Sequence, residues 1–93
     1  MTMNSVQTQG QEVLVNKMVK DIEMLLSVKI KTEGITASYV RNGNTIEVMK
    51  NQEVVATISV DEELTIRFQR TEDTTPIIMS SFSVLNEWIS MTI

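Results

Sequence analysis

The segment Tyr39-Val40-Arg41-Asn42-Gly43-Asn44-Thr45-Ile46 constrains the fold of this chain more than any other. Asn-Gly between alternating apolar and polar residues is the strongest short-range hairpin signal, because a type I′ turn needs positive φ at both central residues. Glycine lacks the Cβ that clashes there, and asparagine tolerates the left-handed region. With Asn42-Gly43 as a two-residue loop, Arg41 opposes Asn44, Val40 opposes Thr45, Tyr39 opposes Ile46 and Ala37 opposes Val48. Ile35, Ala37, Tyr39, Ile46 and Val48 then share one face. Thr36, Ser38, Val40, Thr45, Glu47 and Met49 share the other. Strand side chains alternate with period two, so a slip of one residue would reverse them all.

Two further turns agree with that face. A three-residue loop at Asn51-Gln52-Glu53 sets Val48 against Ala56 and Ile46 against Ile58. A two-residue loop there would instead bury Thr57 and Ser59, which the pattern disfavours. A three-residue loop at Asp61-Glu62-Glu63 sets Val60 against Leu64, Ile58 against Ile66 and Ala56 against Phe68. The prediction is a four-stranded antiparallel meander with one apolar face.

Helical periodicity flanks the meander. Residues 11–27 set Leu14, Val15, Met18, Val19, Ile22, Leu25 and Leu26 within an arc of roughly 140° on a helical wheel. Residues 28–31 alternate as a strand would, yet also extend the helix by a turn. Thr32-Glu33-Gly34 breaks the chain. Residues 1–9 are polar and expected to be frayed. Thr75-Pro76 reads as an N-cap followed by proline at the first helical position, opening a C-terminal helix, with Ser80 as a later alternative start. Four strands about 4.8 Å apart match the width of two helices about 8–10 Å apart. The expected fold is therefore a single α+β domain over 1–93, two-layered, in the order α-β-β-β-β-α, with both helices on one face of the sheet.

The composition removes several kinds of chemistry. Histidine and cysteine are both absent, which takes away the usual base of a nucleophilic triad and the ligands of a zinc site. Gly10, Gly34 and Gly43 are too far apart for a phosphate loop. The two acidic clusters, Asp61-Glu62-Glu63 and Glu72-Asp73, fall at opposite ends of the meander. No enzyme activity, cofactor or metal is expected. The net charge of −4 lies in the last third of the chain, which argues against nucleic acid and anionic membranes as partners. No apolar run approaches the roughly 20 residues of a membrane span, and the first residues lack the pattern of a secretory leader. A cytoplasmic location is the expectation.

The polar face of the meander carries the functional expectation. It presents many Thr and Ser side chains and only two charges, Glu47 and Arg67, whereas a solvated surface is normally richer in Lys and Glu. Thr36, Val40, Met49, Val55 and Thr57 are the candidate interface residues. They point to a non-enzymatic interaction or assembly module that binds a protein partner or itself, as a homodimer. The sheet edges, residues 35–41 and 64–69, offer a second route by strand addition. The alternative is a small carrier of apolar ligands, with Met18, Leu25, Phe82 and Trp88 lining a gap between helices and sheet; seven methionines suit such adaptable packing.

Overall fold

The structure, a computed structural model, describes the backbone of residues 2–93 and the side chains of residues 10–93. Met1 lies outside the described residues, as do the side chains of 2–9, on which the expectation of a frayed N-terminus falls. The elements are α1 (Thr2–Glu33), β1 (Ala37–Asn42), β2 (Thr45–Lys50), β3 (Glu53–Val60), β4 (Ile66–Arg70), β5 (Ile77–Met79) and α2 (Phe82–Thr92). The fold is the expected α+β class. Its sheet is an antiparallel meander in the order β1-β2-β3-β4-β5, one strand longer than expected.

Both helices cover the same face of the sheet. Val19, Ile22 and Leu26 of α1 and Leu85 and Ile89 of α2 join the inward residues of the strands in one core. Those residues are Ile46, Val48, Ala56, Ile58, Val60, Ile66, Phe68 and Met79, all buried. Phe68 also packs on Trp88, with ring centroids 6.1 Å apart.

Residues 28–31 belong to α1, which settles their ambiguity. The apolar stripe continues through Lys29, whose aliphatic stem takes a core-facing position while its ammonium reaches out. Lys29 Nζ donates to Glu33 Oε2 at 3.0 Å and to Ser90 Oγ at 2.5 Å, tying α1 to α2. The helix stops at Gly34, whose φ is 64°. The Ile35 N–H then donates back to the Ile30 carbonyl at 3.1 Å, which is the Schellman closure that a left-handed glycine permits.

The first and third hairpins depart from expectation in loop and register but not in face. The first loop is Gly43-Asn44, so Asn42 pairs with Thr45, Tyr39 with Val48 and Ala37 with Lys50. Only Gly43 of the two has positive φ, the type II′ pattern with glycine first. Asn44 is held by the next hairpin: its Nδ2 donates to the Val60 carbonyl at 2.6 Å, and its own carbonyl accepts from Val60 N–H at 3.0 Å. The β3–β4 pairing likewise shifts, to Val60 with Ile66 and Ile58 with Phe68. Both shifts are of two residues, so every side chain keeps its face.

The loop between β2 and β3 is the two-residue Asn51-Gln52, not the expected three-residue loop. Both residues have positive φ, 54° and 68°, the type I′ requirement. The core register survives because the ladder shifts between Val48 and Met49, so that Met49 pairs with Val54 while Val48 pairs with Ala56. Val55 is the extra residue of this bulge.

The start of the C-terminal helix is corrected. Thr75-Pro76 does not open it; residues 77–79 form β5 against β4 instead. The β-branched Ile77 and Ile78 suit extended backbone, and the strand satisfies the backbone edge that β4 would otherwise leave open. Ile77 and Met79 turn toward the core and Ile78 outward. The cap of α2 is Ser81, whose Oγ accepts from Val84 N–H at 3.2 Å.

Candidate functional site

The face of the sheet opposite the helices carries no second layer among the described residues. Two rows of side chains cross it. Val40, Glu47, Thr57 and Gln69 form one, from β1 to β4. Thr45, Ser59, Arg67 and Ile78 form the next, from β2 to β5. Val40 and Ile78 are 50% and 63% exposed, at opposite edges of the face and in different rows. Glu47 and Arg67 stand in the same diagonal relation, one strand closer to the middle.

The five candidate residues divide. Val40 and Thr57 share the first row. Met49 is half-buried beside Ser38 and Val54. Thr36 precedes β1, is exposed, and borders a recess of about 400 Å³ with Met49, Asn51 and Gln52. Val55 leaves the group: the bulge turns it toward the core, against which it packs half-buried. Ile78 is the residue that sequence reasoning missed. Its only signal is the β-branched pair Ile77-Ile78, too short to show a period and masked by Thr75-Pro76, which carries the chemistry of a helix start.

Arg67 is the fixed charge of this face. Its Nη1 bonds Asp61 Oδ2, and Asp61 Oδ1 accepts from the Glu63 and Thr65 N–H groups at 2.9 and 3.0 Å. The Arg67 bond first, and those backbone N–H groups with it, hold the Asp61 carboxyl below its usual range. Leu64, in the same loop, has φ 65°, a strained setting for a bulky side chain.

The remaining clefts are on the helical side or at the ends. One of about 280 Å³ lies where α1 passes the first hairpin, bordered by Glu12, Val15, Arg41 and Glu62. Its guanidinium is already engaged: Arg41 bonds Asn16 Oδ1, Glu23 Oε1 and the Gly43 carbonyl. Met18, Leu25 and Trp88 pack against the core, while Phe82 is 38% exposed, so the four residues of the carrier reading do not converge on one of these clefts. Among the described residues there is no cluster of three or more carboxylates placed to hold a metal, and no helix is long and apolar enough to cross a membrane. No protein-family model matches the chain, and no curated protein and no solved structure matches it either.

Proposed function

We propose that the protein is a non-enzymatic assembly module that pairs with a second copy of itself through the open face of the sheet. The observation that carries this reading is the diagonal arrangement of the face. An in-plane two-fold axis crossing β3 between Thr57 and Ser59 carries Val40 over Ile78 of the second copy, and Ile78 over its Val40. The same axis carries Glu47 over Arg67. One symmetry operation thus satisfies both pairs, which is the self-complementarity an isologous interface needs. Arg67 has five N–H donors and gives one to Asp61, so others remain for a carboxylate across the interface. Sheets packed face to face cross at about 30°, and a tilt of the axis away from the strand direction accommodates that angle.

Light scattering tests the reading. Val40→Glu together with Ile78→Glu adds two carboxylates to exposed positions, so the variant stays folded and its mass falls to that of one chain. An unchanged mass rejects the interface. Glu47→Lys weakens the pairing by setting like charges together.

A further inference from the structure

The two edges of the sheet are protected unequally, and the contrast identifies a second docking site. Folded proteins blunt exposed edges with short strands, proline, lysine or bulges. At one edge β5 is three residues long and follows Pro76 directly. At the other edge β1 is six residues, Ala37-Ser38-Tyr39-Val40-Arg41-Asn42, with no proline, lysine or bulge. Its one charge, Arg41, is drawn under α1 by Glu23 at 3.4 Å and by Asn16.

The hydrogen-bond alternation shows which backbone groups of β1 are free. Val60 N–H donates to the Asn44 carbonyl, so Ile46 and Val48 direct their backbone groups toward β3, and Thr45, Glu47 and Met49 direct theirs toward β1. Their partners are Asn42, Val40 and Ser38. The N–H and C=O groups of Tyr39 and Arg41 therefore point outward from the edge. The Ala37 N–H, of the same parity, is taken by the Ile35 carbonyl at 3.1 Å.

Beside this edge runs a groove of about 570 Å³ between β1 and the last turns of α1, bordered by Val28, Ile30, Lys31, Ala37 and Tyr39. Val28 is 56% exposed. Lys31 has no carboxylate partner among the described ion pairs. We propose that β1 and this groove receive an extended peptide segment as a sixth strand. Its backbone bonds Tyr39 and Arg41, one apolar side chain enters the groove beside Val28 and Ile30, and an acidic side chain of the same parity meets Lys31. Side chains of the other parity pass over the recess at Thr36, Ser38 and Met49.

A second copy of β1 fits the site poorly. Its groove-facing side chains are Ala37, Tyr39 and Arg41. The Tyr39 hydroxyl lies 2.9 Å from Ser27 Oγ, and Arg41 is bound to Asn16 and Glu23, so both are held under their own α1. Only Ala37 would remain to fill the groove. The free edge groups lie in the plane of the sheet, whereas the open-face pairs Val40–Ile78 and Glu47–Arg67 are made by side chains that stand out from it.

Amide NMR with four synthetic peptides of about eight residues tests the proposal. Each alternates Thr with guest residues: Ile and Glu, Ile and Lys, Ser and Glu, or Ser alone. The Ile/Glu peptide protects the Tyr39 and Arg41 amides from exchange. It binds roughly fivefold more tightly than Ile/Lys and roughly tenfold more tightly than Ser/Glu. Lys31→Glu reverses the first preference, and Val28→Ser, at an exposed position, reduces the second while the free protein's spectrum stays that of the folded chain. Equal binding of all four, binding of none, or shifts confined to β5 overturns the proposal. Protection of the same two amides without peptide, together with a doubled mass, also overturns it and assigns the edge to a second copy. Running the titration on Ile78→Glu, which lies on β5 at the opposite edge, separates this outcome from failure of the open-face interface.

Discussion

Asp61 shows how one side chain organises a loop and a surface together. It accepts from the Glu63 and Thr65 N–H groups and bonds Arg67, so the reversal after β3 and the orientation of the outward guanidinium share one carboxylate. That carboxyl is held below its ordinary value, chiefly by Arg67. A carboxyl with a lowered folded pKa adds stability that is complete above the unfolded value of about 3.9 and lost as pH falls through the folded value. Asp61→Asn keeps the turn-forming acceptor but removes the charge. Urea midpoints for the wild type should therefore exceed those of Asp61→Asn near neutral pH, and the gap should close as pH falls from about 3.9 through the lowered folded value. A gap independent of pH would mean that the Arg67 bond adds no stability. The buried Lys29 and the half-buried Arg41 are residues of the same kind: charges on an apolar surface whose heads are matched by carboxylates, Glu33 and Glu23.

The β2–β3 hairpin is the element in which turn chemistry and pattern compete. Asn51 and Gln52 both take positive φ. Asparagine tolerates this region, whereas other side chains lose roughly 1–2 kcal/mol per residue in it. Gln52→Gly creates the favoured Asn-Gly turn and should raise stability by about 0.5–1 kcal/mol, after the greater freedom of glycine in the unfolded chain is deducted. Chemical denaturation measures it; a loss would show that the Gln52 side chain contributes more than its backbone costs. This hairpin also shows what was legible in the sequence. Period-two alternation identified the inward residues Ile46, Val48, Ala56, Ile58, Ile66 and Phe68, all of which are buried. Alternation reports parity only, so it could not distinguish a pairing from one two residues away, nor an odd loop from an even loop plus a bulge. β5 was hidden for a different reason: three residues are too few to show a period, and Thr75-Pro76 carries the same chemistry as a helix start. In α1 the apolar stripe was legible to Leu26, and Lys29 concealed its last turn because a lysine is counted as polar whatever its stem packs against. Of the candidate face, Val40, Thr57 and Met49 were legible from parity, whereas Ile78 and the turning of Val55 depended on features of this second kind.

For the molecule as a whole, a two-layer fold leaves one side of its sheet without apolar cover, and association is a general way for such a side to be used. Five strands about 4.8 Å apart, from three to eight residues long at about 3.3 Å per residue, make a face of roughly 450 Å², below the roughly 600 Å² per partner at the low end of stable interfaces. The homodimer is thus expected to be weak, with a dissociation constant on the order of micromolar. Two valines, one on the edge strand β1 and one on the central strand β3, distinguish an interface from mere stability. Val40 is half exposed on the open face, while Val55 is turned by the bulge onto the core. Val55→Glu must bury a carboxylate or expel the strand, so it should cost about 2 kcal/mol or more of folding stability. Val40→Glu meets water in the single chain, and its loss should fall within about 0.5 kcal/mol. In association the order reverses. Sedimentation at concentrations spanning the dissociation constant should show Val40→Glu shifted strongly to the single chain, while whatever fraction of Val55→Glu remains folded still pairs. If both variants lose stability equally and neither changes mass, the open face is only the solvated side of a small domain.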